Sequence, residues 1–333
     1  MTVLNKILVI RLSSIGDITL TTPLVRHLAT AYPDAQIDYC TKSPFVSLLV
    51  SNPRISTTYT TDHPPVGNYD LVVDLQNNFR SKAIVRSLNS VRTVRYRKEN
   101  WKKWLLVHFK LDFYGFYRSV VERYGDSLPE ICISPGDQQG CELYLSSEEL
   151  SYAAPYFQIP QKTLALCFGA KHFTKRYPPK LFAALVSILL KNELLQIVLL
   201  GGIEDAPQAT ELMNSLPDTC RSRVVNLAGS CTLMQSAAIL SRSDAVLCND
   251  TGLMHIASSF GKKLFVLFGS SSQAFGFLPW NTPYELFEIE GLHCKPCSHI
   301  GRDHCPKAHF RCMNDLLPGA IAEHIHSYLK LIP

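Results

Sequence analysis

The chain alternates short apolar runs with amphipathic stretches, twice over, and this alternation constrains its fold more than any other feature. Lys6-Ile7-Leu8-Val9-Ile10-Arg11 is an apolar run rich in β-branched residues. It leads through Leu12-Ser13-Ser14-Ile15-Gly16-Asp17 into Leu20, Leu24, Leu28 and Tyr32, one apolar residue per turn of a single helix. Residues 37–40 and 69–75 read as further strands, the second followed by a helix over 78–88. Strands that are apolar on nearly every residue are covered on both faces, which makes the sheet parallel. The pattern loosens between Pro129 and Pro160, where Pro135-Gly136, Pro155 and Pro160 punctuate polar residues, and then restarts. Leu164-Ala165-Leu166-Cys167-Phe168 ends in Gly169, residues 181–190 are helical, and residues 195–200 end in Gly201-Gly202. Residues 224–225, 244–248 and 264–268 continue the series. The expected fold is α/β, with two Rossmann-like doubly wound domains, 1–158 and 159–333, separated by a cleft. Ligand is expected at the carboxyl ends of the strands, with the last helix packed back on the first domain. A length of 333 residues accommodates two such domains.

Charge narrows the partner. Of 33 Lys and Arg, nine lie between Arg80 and Lys103 with one acid, Glu99, and the rest of the chain balances at 24 − 27 = −3. A local excess fits an anionic small molecule or surface, and not a nucleic-acid-binding protein. Within that stretch the cations interleave with Trp101 and Trp104, followed by Phe109, Phe113, Tyr114, Phe116 and Tyr117. Such a run is either a solvated charged face or a face that rests on a membrane. The eleven cysteines are an odd number, no secretion signal opens the chain, and no apolar run approaches the ~18 residues of a membrane span. The expectation is a cytoplasmic protein with reduced thiols. Cys294-Lys295-Pro296-Cys297, Cys305, His309 and Cys312 begin like a zinc site but lack a second C-x-x-C, so zinc, a disulfide and packed thiols all remain readings.

Four loops carry chemistry. Ser14 and Asp17 are spaced as a capping box, or else Gly16 admits a substrate to the backbone while Asp17 accepts a proton. Neither G-x-G-x-x-G nor G-x-x-x-x-G-K-[ST] occurs there. Asp250-Thr251-Gly252-Leu253-Met254-His255 runs from a strand into a helix. Asp250 is expected to cap that helix, whose first-turn N–H groups suit a diphosphate, with Thr251 and His255 on one face. Lys171 and Lys175 follow the Gly169 turn as solvated charge or as partners for a leaving diphosphate. Glu204, just past Gly201-Gly202, is either a first-turn helix acid or a hydrogen-bond acceptor for ribose.

The segments Arg11-Leu12-Ser13-Ser14-Ile15-Gly16-Asp17, Asp74-Leu75-Gln76, Lys175-Arg176-Tyr177-Pro178, Asp250 to His255 and the cysteine-rich region after Cys294 together resemble the heptosyltransferases of glycosyltransferase family 9. The C-terminal pattern is most similar to the type that adds heptose to heptose. One departure is Tyr177, where the family usually has Trp. The resemblance implies a GT-B fold and inverting, metal-independent transfer of heptose from ADP-heptose to the inner core of lipopolysaccharide, with no cofactor. It implies Asp17 as general base, Lys175 as the cation on the leaving diphosphate, and Glu204 on the ribose. Ser14, Gly16, Lys171, Asp250, Thr251, Gly252 and His255 then belong to the donor site. An anionic acceptor assigns Arg80, Arg95 and Arg97 to its carboxylates or phosphates, and the Trp-rich segment, with Lys102 and Lys103, to the inner membrane surface as a peripheral contact. Competing readings are a same-fold transferase for another nucleotide-sugar, a nucleotide-sugar epimerase, and a non-catalytic binding module.

Overall fold

A computed structural model of the chain describes residues 4–131, 133, 138–158 and 161–331. Five strands, β1 (Lys6–Ile10), β2 (Gln36–Thr41), β3 (Thr57–Thr60), β4 (Asn68–Asp74) and β5 (Asn89–Arg95), form one all-parallel sheet in the order β3-β2-β1-β4-β5. Six more, β6 (Lys162–Cys167), β7 (Leu195–Leu200), β8 (Val224–Asn226), β9 (Ala245–Asn249), β10 (Lys263–Leu267) and β11 (Tyr284–Phe287), form a second parallel sheet, ordered β11-β10-β9-β6-β7-β8. In each sheet the chain starts in the middle, winds to one edge and crosses back. A crevice therefore opens beyond the carboxyl ends of β1 and β4, and another beyond β6 and β9, where strand order reverses.

The central strands are the apolar runs expected from the sequence, and β1, β6, β7 and β9 are buried along almost their whole length. Three strands, β3, β5 and β11, escape that reading, and all three are sheet edges. An edge strand is partly solvated, so Thr57-Thr58-Tyr59-Thr60 and Asn89-Ser90-Val91-Arg92-Thr93-Val94-Arg95 need no apolar run. The helix expected from Leu20 to Tyr32 is the helix Thr22–Ala31, and a separate short helix, Ile15–Thr19, precedes it. The break falls at Leu20-Thr21, just before Pro23, which sits in the first turn of the second helix and has no N–H to continue the first.

The stretch read as a linker is only partly loose. Glu142 ion-pairs with Arg26 at 3.0 Å and Arg54 at 2.6 Å, and its N–H donates to Thr22 Oγ1, so this segment lies along the helix Thr22–Ala31. By the helix Ser147–Ala153 the packing partner has become Leu233–Arg242, beside the second sheet. Pro135-Gly136, Pro160 and the expected division at residue 159 lie outside the described residues.

The closing helix Pro318–Leu331 does not return to the first sheet. Ile321, Ala322, Ile325 and Leu329 are buried against Leu185, Leu189 and Phe265 of the second half, and His326 Nε2 lies 3.0 Å from the Leu189 carbonyl. The preceding turn has already committed the chain to that side, because Cys312 and Met313 on the helix Arg311–Asn314 are buried in the same cluster. Ile325 is fully buried there. Ile325→Ala should therefore cost about 2–4 kcal/mol in urea unfolding, and a loss under about 1 kcal/mol would mean that the helix contributes little to the second core.

Candidate active site

The first wall of the site grows from the carboxyl ends of β1 and β4. Leu75 and Gln76 N–H groups both donate to the Ile10 carbonyl, and Gln76 Oε1 accepts from Leu12 N–H at 2.9 Å, which fastens the two strand ends together. Arg11 is buried; its guanidinium donates to the Leu75 carbonyl at 2.8 Å and the Ser13 carbonyl at 2.9 Å and pairs with Asp17 Oδ1 at 2.5 Å. Asp17 Oδ2 accepts from Ser14 N–H at 3.0 Å and Ser14 Oγ–H at 2.9 Å. Asp17 is thus held in the capping arrangement and still presents a partly exposed carboxylate at the mouth of the crevice. The capping reading of this loop is the geometry observed, with the carboxylate still partly exposed. Ser14 is exposed and donates its hydroxyl to the Asp17 carboxylate one turn on.

The second wall grows from β6 and β9. Asn249, fully buried, donates to the Phe168 carbonyl and accepts from Tyr177 N–H at 3.1 Å, joining the ends of both strands to the loop that carries Lys175. Tyr177 is itself buried, with its hydroxyl donating to the Leu316 carbonyl at 2.7 Å and its ring edge-on to Phe182. An aromatic core residue at this position is what the Tyr-for-Trp departure preserves. Lys175 Nζ pairs with Asp250 Oδ2 at 2.6 Å, and both side chains are largely buried. Asp250 therefore does not cap the following helix; Thr251 occupies that position and its hydroxyl makes no capping bond. The carboxylate turns away because the ammonium of Lys175 is a stronger partner than a backbone N–H. Lys171 is exposed at the rim. Glu204 is exposed just beyond β7, where it was expected. Its neighbour Asp205 carries no sequence signal of its own: it accepts from Gly202 N–H at 3.0 Å, is buried, and has its carboxyl pushed up by that burial. A Cβ on Gly169 would lie 1.9 Å from Asp205 Oδ2, so the glycine ending β6 makes room for this carboxylate.

The two walls meet through a pair of glycines. A Cβ on Gly16 would stand 2.4 Å from Cδ2 of His255, and one on Gly252 would stand 2.8 Å from Cβ of Ile15. The helices Ile15–Thr19 and Gly252–Ser258 thus approach closely at their first turns, each through a residue without a side chain. The missing side chain of Gly16 makes room for the His255 ring. Burial pushes the His255 pKa down to about 4, opposed by Asp250 and Asp17 and assisted by Lys175, so the ring is neutral at neutral pH. Its Nδ1 is buried without a hydrogen-bond partner among the described residues. The carboxylate of one wall and the ion pair of the other therefore act on one imidazole.

Arg95 and Arg97 line a cavity of about 710 Å³ in the first half, together with Lys102, Arg118 and Arg123 against Glu99 and Asp126. Arg80 is exposed on the first turn of the helix Phe79–Arg86 and does not line that cavity. Lys98 and Lys103, not singled out as site residues, are half-buried and have electrostatic contact with Asp17 and Arg11. Lys103 therefore faces inward and is not part of the outer surface assigned to it. Trp101, Trp104, Phe109, Phe113 and Phe116 are each more than half exposed. Cys294, Cys297, Cys305, Cys312 and His309 surround one small cavity. The four thiols are free, Cys294 Sγ lies 3.8 Å from His309 Nε2, and no three ligating groups are gathered for a metal among the described residues.

The glycine pair yields a test. Gly16→Ala should destabilise the protein by about 1–3 kcal/mol in chemical unfolding, since its methyl collides with a packed ring. A neutral effect would show that the two walls are free to separate.

Residues 66–307 match the family model for glycosyltransferase family 9 (heptosyltransferase). The chain is 26% identical to lipopolysaccharide heptosyltransferase 2 of Salmonella typhimurium, across 98% of this chain and 99% of that protein. It is 25% identical to lipopolysaccharide heptosyltransferase 2 of Escherichia coli, across 97% and 98%. The structure of E. coli ADP-heptose lps heptosyltransferase II superposes with a TM-score of 0.72 at 24% identity, covering 97% of this chain and 98% of that one, which shows a shared GT-B fold. With two facing Rossmann-like sheets, the Asp17 and Lys175 loops at their carboxyl ends and a family match over most of its length, the chain belongs to glycosyltransferase family 9, the heptosyltransferases.

Proposed function

We propose that the protein transfers heptose from ADP-heptose to the inner core of lipopolysaccharide in one inverting step, with the acceptor on the first half, the nucleotide-sugar on the second, and no cofactor or metal. The observation that carries this reading is the shared imidazole of His255, which brings Asp17 of one wall and the Lys175–Asp250 pair of the other into a single site. Inversion requires the attacking oxygen to approach the anomeric carbon opposite the departing diphosphate, so a base and a phosphate cation on facing walls suit it. Asp17 takes the acceptor's hydroxyl proton as the new C–O bond forms. Arg11 and Ser14 keep its carboxylate aimed into the crevice.

Lys175 supplies the opposing half. As the old glycosidic bond breaks, charge accumulates on the diphosphate, and an ammonium there stabilises the transition state more than the ground state. Asp250 is the counter-ion that holds Lys175 ready until the diphosphate takes its place. Thr251, Gly252 and the neutral His255 border the same phosphates, and Glu204 reaches the ribose. Asp17→Asn should lower kcat by about 10²–10⁴-fold with ADP affinity unchanged by calorimetry; full transfer by this variant would remove Asp17 from the base role. Chelation with EDTA should leave the rate unchanged, whereas a rate restored only by added divalent ion would contradict metal-independent transfer. Turnover of ADP-heptose without any acceptor would favour the epimerase reading instead.

The acceptor is lipid-linked, and the exposed aromatic segment fits a peripheral site on the cytoplasmic face of the inner membrane. Trp101, Trp104, Phe109, Phe113 and Phe116 form the apolar part, and Arg80, Arg95 and Arg97 lie in the surrounding basic stretch. Among the described residues no helix is long and apolar enough to cross a membrane. The double change Trp101→Ser with Trp104→Ser should weaken binding to vesicles containing anionic lipid in a sedimentation assay. Undiminished binding would place the membrane contact elsewhere.

A further inference from the structure

The helix Asn100–Phe109 has two faces. Trp101 and Trp104 point to solvent, while Leu106 is buried under Ala274 and Phe275 and Lys103 is half-buried with its Nζ 6.0 Å from the centre of the Phe277 ring. The Lys103 ammonium makes no hydrogen bond or ion pair among the described residues. Nearby Glu99 is already taken by Lys102 and Arg123, and Asp17 by Arg11. Lys98 is also half-buried, and among the described residues its only hydrogen bond is a long one, 3.4 Å, to the Asn77 carbonyl. Two lysines are thus partly withdrawn from water without an ion pair of their own among the described residues; the fields of Asp17 and, for Lys98, Asp74 offset their burial only in part, so an arriving anion is favoured.

We propose that Lys103, with Lys98, binds an oxyanion of the acceptor sugar, a carboxylate or a phosphate monoester, and so positions the acceptor hydroxyl at Asp17. The proposal rests on the reading of Asp17 as the acceptor-side base. The charged groups that act most on Lys103, namely Arg123, Asp17, Lys98 and Arg11, belong to the first half. The donor's phosphates already have Lys175 on the other wall. His299 of the second half also faces it, and its own pKa is pushed down by burial and then by Lys103 and Lys175. Burial, helped by Arg123, Lys98 and Arg11 and opposed by Asp17, pushes the Lys103 pKa down to about 8. In the free enzyme the ammonium is present below pH 8 and lost above it, and a bound oxyanion raises the pKa again.

Steady-state kinetics with a deacylated inner-core oligosaccharide test this. Lys103→Met should raise the acceptor KM by about 10–100-fold, the worth of a charge-assisted hydrogen bond, with kcat little changed and ADP affinity by calorimetry unaltered. Lys103→Arg should keep the acceptor KM at pH 7 and abolish the wild-type fall in kcat/KM near pH 8, a change that a merely structural lysine would not produce. Carboxyl-reduced and phosphatase-treated acceptors separate the two sources, since the one that no longer distinguishes wild type from Lys103→Met has lost the bound group. An unchanged acceptor KM, or a matching loss of ADP affinity, would overturn the proposal. Should wild type transfer no heptose, the proposed function fails by itself; calorimetric binding of the oligosaccharide to wild type and Lys103→Met then decides the oxyanion site separately.

Discussion

A buried imidazole is wedged between two helix starts, and the arrangement of the site depends on it. His255 fits against Gly16 only because Gly16 has no side chain, and Ile15 fits against Gly252 for the same reason. This reciprocal contact fixes the first turn of one sheet's leading helix against the corresponding turn in the other. It determines how far Asp17 stands from Lys175. Burial keeps the ring uncharged, so the contact adds no cation to a region where Lys175 already serves. The same depth of burial leaves Nδ1 without a partner, a cost tolerated at the boundary where a ligand's phosphates are proposed to lie.

On each side of that contact a charged pair is held by the ends of two strands. Arg11 and Asp17 are anchored through Leu75 and Gln76 at the β1/β4 crossover, and Lys175 and Asp250 through Asn249 at the β6/β9 crossover. Parallel strands deliver their carboxyl ends to the same edge, so the two reversal points bring both halves of the proposed chemistry together without long loops. The pairs differ in how they are held. Arg11 is tied down by two carbonyls and stays with Asp17 as an orienting group. Lys175 is a flexible point charge whose counter-ion a diphosphate is suited to replace.

Much of this was legible from residue order. Central strands announce themselves because burial on two faces forces continuous apolar runs, and Asp17, Lys175 and His255 stood out because each closely follows such a run. Edge strands did not, since β3, β5 and β11 are built of Thr, Arg, Tyr and Glu as readily as of Val. The basic stretch misled for a related reason. Nine cations in a row of residues look like one surface, yet β5 and the helix Asn100–Phe109 distribute them among an exterior, a cavity and the crevice. Which side Lys103 takes is decided by helix phase against Leu106 and its neighbours, a long-range packing matter with no local signature. Asp205 has no local signature likewise, because the space its carboxylate fills is left by Gly169, which only the folded chain brings beside it.

Donor and acceptor are proposed to stand on facing walls, with Lys175 passing from Asp250 to the leaving diphosphate opposite Asp17. A crystal structure of the protein with ADP-heptose decides this. The nucleotide should sit in the second half, with diphosphate oxygens within hydrogen-bonding distance of Lys175 Nζ, the Lys175–Asp250 pair broken, and the anomeric carbon facing Asp17. A diphosphate bound against Arg11 and Lys98 in the first half, with Lys175 still paired to Asp250, would overturn the facing-wall arrangement.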